Sequence, residues 1–245
     1  MVLFSDLPLN ERMAEKLKNV KVDFAFQPIF DKKSMKIVGH EALMRPRGST
    51  PLELIKEYRL EGGLHTLELA TFFGASKAYY ERGLKGRISI NSFPSECFGQ
   101  DESEVFFQCF PDISKHMFVE ILEYTDLDFD KWILKREQIR SNDIKIALDD
   151  YGTGKNYMIA VDVFEVDEIK IDRMFVSRID EGTYNYRLIY NMVEFAKTNS
   201  IRICCEGVED MHELAVLEGL SPNLLQGYLF DKPCEIEEFE ELYID

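Results

Sequence analysis

Short apolar runs punctuate this chain at Phe24–Phe30, Lys36–Leu43, Arg87–Ser92, Met117–Leu122, Ile144–Leu148, Glu168–Ile171, Ile201–Cys205 and Leu224–Phe230. Each has the length of a strand, and most are rich in Ile, Val or Phe, as expected for strands enclosed on both faces. Between the later runs the period changes. Leu188, Ile189, Met192, Val193 and Ala196 recur at helical spacing, and Leu67, Ala70, Phe73 and Ala78 do so less regularly. Strands alternating with helices predict an α/β fold with a mostly parallel sheet, and eight runs in 245 residues predict a closed (β/α)8 TIM-type barrel. One connection departs from the pattern. Only Asp31 to Met35 separate the first two runs, too few for a parallel crossover, so an antiparallel first strand is expected.

The breaker clusters Arg45–Pro51 and Glu61-Gly62-Gly63 are short loops and not linkers. The chain therefore reads as a single barrel domain over residues 1–245, with 1–20 as an N-terminal lead-in. Charge narrows the partners. Twenty-nine Lys and Arg against 45 Asp and Glu leave −16, a surface that repels DNA, RNA and anionic membranes. A small anion remains open where local cations or a divalent metal reverse the field. Cys97, Cys109, Cys204, Cys205 and Cys234 show no zinc spacing and read as buried reduced thiols. With no apolar stretch near the ~18 residues of a membrane span, a cytoplasmic protein is expected.

In barrels of this kind the reacting groups stand at the C-terminal strand ends. Glu41, Asn91, Glu120, Glu123, Asp149, Asp150, Lys170, Asp172, Glu206 and Gln226 fall at or near the ends of successive runs. Converging carboxylates repel and lose hydration unless divalent cations neutralise them. Oxygen ligands without paired His or Cys suit Mg²⁺ or Mn²⁺, and the adjacent Asp149-Asp150 suit two neighbouring ions, a recurrent device for phosphoester hydrolysis. Taken singly, each carboxylate reads more simply as a solvated loop group; their recurrence unit after unit argues otherwise. His40, His65, His116 and His212 lack paired spacing and read as structural or surface residues, and Trp132 reads as a packing residue on a helix.

The motifs Gln27-Pro28-Ile29, Glu41-Ala42-Leu43-Met44-Arg45, Ile90-Asn91, Glu120-Ile121-Leu122-Glu123, Asp149-Asp150-Tyr151-Gly152-Thr153-Gly154, Lys170-Ile171-Asp172, Glu206-Gly207-Val208-Glu209 and Gln226-Gly227-Tyr228-Leu229-Phe230 occur in this order. Together they resemble the EAL-domain family of bacterial cyclic-di-GMP phosphodiesterases over about residues 24 to 233. The resemblance implies a barrel with an antiparallel first strand, hydrolysis of cyclic di-GMP to linear pGpG, and a homodimer. It further implies one metal ion on Glu41, Asn91, Glu120 and Asp149, and a second on Asp149, Asp150 and Glu206. Lys170 would orient the attacking water, with Glu206 placed to help deprotonate it. Gln27, Leu43, Arg45 and Gln226 would bind substrate, and Glu123 would anchor the loop that Asp149-Asp150 open. The chain departs from the family at Pro46, Leu122, Tyr151 and Lys155-Asn156-Tyr157, while every implied metal ligand is present. Two rival readings remain: a domain that senses cyclic di-GMP without cleaving it, and a docking domain that has lost the ligand. Retained carboxylates weigh against the first, retained Arg45 and Gln226 against the second.

Overall fold

The computed structural model describes residues 1–121, 128–152, 161–162 and 164–234. Strands β1 (Val22–Asp31), β2 (Lys36–Pro46), β3 (Arg87–Ser92), β4 (Met117–Ile121), β5 (Lys145–Tyr151), β6 (Glu168–Ile171), β7 (Arg202–Cys205) and β8 (Leu224–Leu225) close in sequence order into a barrel. β1 runs antiparallel to both β2 and β8, and the other pairs are parallel. The hairpin turns where expected. The Asp31 carboxylate accepts from Ser34 N at 2.7 Å and Ser34 Oγ at 2.6 Å, and Met35 takes a left-handed φ of 52°.

The eighth run is shorter as a strand than its apolar length suggests. After Leu225 the backbone turns: Val208 N donates to the Gln226 carbonyl at 3.1 Å, and Leu229 N to the Val208 carbonyl at 2.9 Å. Gly227 lies so close to this segment that a Cβ would meet Val208 O at 2.1 Å, so only glycine permits the approach.

Around the barrel lie α1 (Glu11–Leu17), α2 (Pro51–Leu60), α3 (Leu64–Glu81), α4 (Gln100–Cys109), α5 (Phe129–Ser141), α6 (Arg173–Val176), α7 (Tyr184–Asn199) and α8 (Met211–Leu220). Side-chain caps start several of them, among them Asn10 on α1, Asp128 on α5, Thr183 on α7 and Asp210 on α8. Trp132 is buried on α5, and Ile189, Met192, Val193 and Ala196 form the buried face of α7. Val2, Phe4, Met13 and Leu17 of the expected lead-in belong to the same core. Cys204, Cys205 and Cys234 are buried free thiols, whereas Cys97 and Cys109 are only half-buried, a correction to the expectation for those two. No helix among the described residues is long and apolar enough to cross a membrane.

Period-two alternation divides each strand between two environments. Ile88 and Ile90, Val119 and Ile121, Ile146 and Leu148, and Ile169 and Ile171 join the apolar core with the helices. The intervening residues face the lumen, which the cross-barrel contacts make plain. Arg87 on β3 reaches Glu168 on β6 in a two-pronged pair at 2.5 and 2.8 Å, between strands that are not neighbours. Arg202 adds a third contact at 3.2 Å, and the Phe118 ring lies 4.1 Å from the Arg87 guanidinium carbon and 4.8 Å from that of Arg202. Each aliphatic side chain outside the barrel contributes about 1.5–3 kcal/mol on burial, whereas a buried ion pair does little better than break even with apolar replacements. Stability thus comes mainly from the outer shell.

The pair nonetheless cannot be halved cheaply, because Glu168 is fully buried. Glu168→Gln should cost about 3–5 kcal/mol in urea denaturation by leaving Arg87 uncompensated, while Arg87→Met with Glu168→Leu should cost much less. Equal losses for the single and double replacements would deny the pair this role.

Candidate active site

Strand alternation places Glu41, Leu43 and Arg45 on one side of β2, all toward the C-terminal rim of the parallel strands. Around the same rim stand Asn91 on β3, Glu120 on β4, Asp149 and Asp150 at the end of β5, Lys170 on β6, Glu206 after β7 and Gln226 after β8. Lys170 is the common contact. Its Nζ lies 3.2 Å from Glu41 Oε2, 2.8 Å from Glu120 Oε2, 2.9 Å from Asp149 Oδ1 and 2.8 Å from Glu206 Oε1. Gln226 Nε2 donates to Glu41 Oε2 at 2.8 Å, and Asn91 Nδ2 to Glu41 Oε1 at 3.2 Å. Gln27, opposite Glu41 in the β1–β2 register, lines the same cavity of about 270 Å³.

Adjacent strand residues ordinarily point to opposite faces, so Asp149 and Asp150 should not share a site. A backbone irregularity resolves this. The β5–β6 register shifts between Leu148 and Tyr151, and Asp150 adopts a left-handed φ of 50°, a conformation that Asp tolerates better than most residues. As a result two acidic groups form that share Asp149: Glu41, Glu120 and Asp149, and Asp149, Asp150 and Glu206, the ligand oxygens of each lying within 4.8 Å of one another.

Burial governs the electrostatics. It pushes Glu120 well above the carboxylate range, reinforced by the Glu41 and Asp149 charges and only partly offset by Lys170. Burial likewise raises Glu206, against the pull of Lys170, and raises Asp149. Glu41 ends low: the charge of Lys170 and hydrogen bonds from Gln226, Lys170 and Asn91 outweigh the upward effect of its burial. Asp150 is pushed up to about 6 by burial and by the charge of Asp149. Lys170 is held well above its ordinary value despite burial, by Asp149, Glu120, Glu206 and Glu41. One ammonium facing this many carboxylates leaves an excess of negative charge in one small cavity. Buried polar atoms are rarely left without partners, yet Glu120 Oε1, Asn91 Oδ1 and Gln226 Oε1 have no hydrogen-bond partner among the described residues. Excess charge and idle oxygens fit the donor set of a hard divalent cation.

Leu43 and Arg45 lie elsewhere. They line a second cavity of about 650 Å³, together with Asn91, Phe93, residues of α2 and Asp150, and Asp150 lines both cavities. Arg45 Nη1 donates to the Met44 carbonyl at 3.1 Å, its one hydrogen bond among the described residues. The expected anchor Glu123 lies outside the described residues, as do Leu122, Lys155-Asn156-Tyr157 and the acidic tail from Glu235. Sequence reasoning missed the buried Glu68 of α3, which bonds Ser92 Oγ at 2.6 Å and Phe93 N at 3.1 Å and pairs with Lys135 of α5, so fixing the backbone just past Asn91. A carboxylate inside an otherwise apolar helical stretch was the available signal. It also missed Arg173, Glu209 and Tyr228, which line the smaller cavity.

The EAL domain family model matches residues 10–233. The chain is 25% identical over 239 residues to the probable cyclic di-GMP phosphodiesterase PdeN of Escherichia coli K12, covering 91% of this chain and 45% of that protein. The chain thus spans less than half the length of that relative. Among solved structures it resembles an EAL domain protein from Listeria monocytogenes, with a TM-score of 0.79 at 20% identity over 97% of this chain and 99% of the other. It also resembles a manganese and cyclic di-GMP complex of Klebsiella pneumoniae BlrP1, with a TM-score of 0.78 at 24% identity over 89% of this chain and 57% of that one. At these identities the structural likenesses establish the fold.

The raised carboxylates carry a pH signature. A carboxyl whose folded pKa exceeds its unfolded value stabilises the fold below the unfolded pKa and loses that contribution as pH rises through the folded one. Chelator-treated protein should therefore lose stability between about pH 4 and about pH 6 as Asp150 ionises. Saturating divalent cation should remove or reverse the trend in thermal melts. A flat metal-free profile across that window would contradict the electrostatic assignment.

Proposed function

The chain belongs to the EAL domain family, and from that membership and its two linked acidic groups we propose that it hydrolyses one phosphodiester of cyclic di-GMP to linear pGpG, with magnesium or manganese. The sharing of Asp149 between the groups is the observation that carries this reading. Glu41, Asn91, Glu120 and Asp149 would hold one ion, and Asp149, Asp150 and Glu206 the other. When bound, such ions neutralise phosphoryl charge and make water a better nucleophile near neutral pH.

The chain's own groups do the rest. Lys170 holds the carboxylates in register and offers protons toward the attacking water, while Glu206, raised by burial, is suited to accept a proton from it. Water adds to phosphorus, the bond to the ribose 3′ oxygen breaks, and that oxygen leaves with a proton, which gives the 5′-phosphate of pGpG. Gln226 and Gln27 border this volume, and the Arg45 fork in the adjoining groove suits the oxygens of a phosphate. Leu43 offers an apolar contact beside it.

Purified protein with magnesium or manganese should convert cyclic di-GMP to pGpG on chromatography, chelator should abolish the product, and excess calcium should inhibit it. Asp149→Asn should lower turnover by about a thousandfold or more and weaken cyclic di-GMP binding far less. A wild type that binds the dinucleotide yet makes no pGpG with either metal would establish the sensing reading instead. Arg45→Ala should weaken dinucleotide binding with metal affinity nearly unchanged, and Arg45→Lys should restore it only in part. Loss of metal binding on calorimetry in Arg45→Ala would reassign that residue to a structural role.

A further inference from the structure

The cavity that holds the acidic groups is about 270 Å³, below the usual range of small-molecule sites and small for a whole cyclic dinucleotide. A ligand with one phosphate there must extend beyond it, and the larger groove of about 650 Å³ shares Asp150 with it as a lining residue. One wall of that groove is α2, whose Leu52, Ile55, Lys56 and Arg59 line it. These positions stand at i, i+3, i+4 and i+7, a single helical face. Leu54 and Tyr58, on another face, pack against the core and fix the rotation of the helix. Thr50 and Glu53 fix its start through a reciprocal capping box, with Pro51 in the first turn. The groove face is thus half aliphatic and half cationic, in a protein whose net charge is −16. Lys56 makes no hydrogen bond or ion pair among the described residues.

We propose that Lys56 and Arg59 bind the second, uncleaved phosphodiester of the dinucleotide while Leu52 and Ile55 carry its base, which makes α2 a substrate-holding helix. The proposal rests on the cyclic di-GMP reading above. Cyclic di-GMP carries two anionic diesters; cations at the acidic groups neutralise one end, and at the other Lys56 and Arg59 add to the charge of Arg45, which lines the same groove. Since Lys56 and Arg59 are exposed, each contributes modestly and is screened by salt.

The test compares wild type with the double variant Lys56→Ala/Arg59→Ala, by calorimetry with cyclic di-GMP in calcium and by initial rates in magnesium or manganese. Bis(p-nitrophenyl) phosphate serves as a diester with no second half. The double variant should weaken cyclic di-GMP affinity and raise KM about tenfold, with a shallower salt dependence than wild type. The loss on bis(p-nitrophenyl) phosphate should be several-fold smaller. Lys56→Arg/Arg59→Lys should recover most of the affinity, and thermal melts identify any variant that fails to fold. Affinity within twofold of wild type, or equal losses on both substrates, would overturn the assignment to α2. A wild type that neither binds nor cleaves cyclic di-GMP would instead overturn the substrate reading, and this inference with it.

Discussion

A single buried ammonium organises the C-terminal rim of this barrel's parallel strands. Lys170 touches carboxylates from β2, β4, β5 and the segment after β7, so its position ties together strands that are not neighbours. Without a cation at the centre, mutual repulsion and lost hydration would drive these groups to protonate or move apart. With only one, the site remains over-supplied with negative charge. Burial first, and the neighbouring carboxylate charges after it, hold three of the carboxyls above their ordinary range, and the imbalance makes the volume receptive to further cations.

The barrel separates stability from chemistry by strand alternation. Aliphatic residues pointing outward bury against the helices, while charged residues pointing inward form two stacked layers. In the lower layer Arg87 and Arg202 balance the charge of Glu168. The upper layer, around Lys170, is unsatisfied and opens to solvent through the smaller cavity. Supporting contacts lie behind it. Glu68, locked by Lys135, Ser92 and Phe93, steadies the segment that follows Asn91, so an amide at the site depends on an ion pair between two outer helices.

Much of the architecture was legible in the order of residues. Short Ile-bearing runs marked β3 (Arg87–Ser92) and β6 (Glu168–Ile171) to the residue. The five-residue gap from Asp31 to Met35 was enough to make β1 antiparallel, since no crossover fits in it. The end of the chain was misjudged for a physical reason: Leu229 and Phe230 are apolar because they pack on the core in a turn, and composition does not distinguish that from a strand.

At the site, the sequence by itself determined which chemistry was available: oxygen donors, one lysine and one guanidinium, placed at strand ends in a barrel. Tertiary structure decided how they combine. Asp149 and Asp150 face one site because the backbone shifts register between them, a departure that period-two patterning does not encode. Arg45 and Leu43 fall in a second cavity, which shares Asp150 with the first and is lined also by a face of α2 that local pattern left unassigned. Period and spacing are properties of a few neighbouring residues, whereas pairing Lys170 with Glu41 across 129 positions depends on the closure of the whole barrel, which alone sets which charges share one cavity.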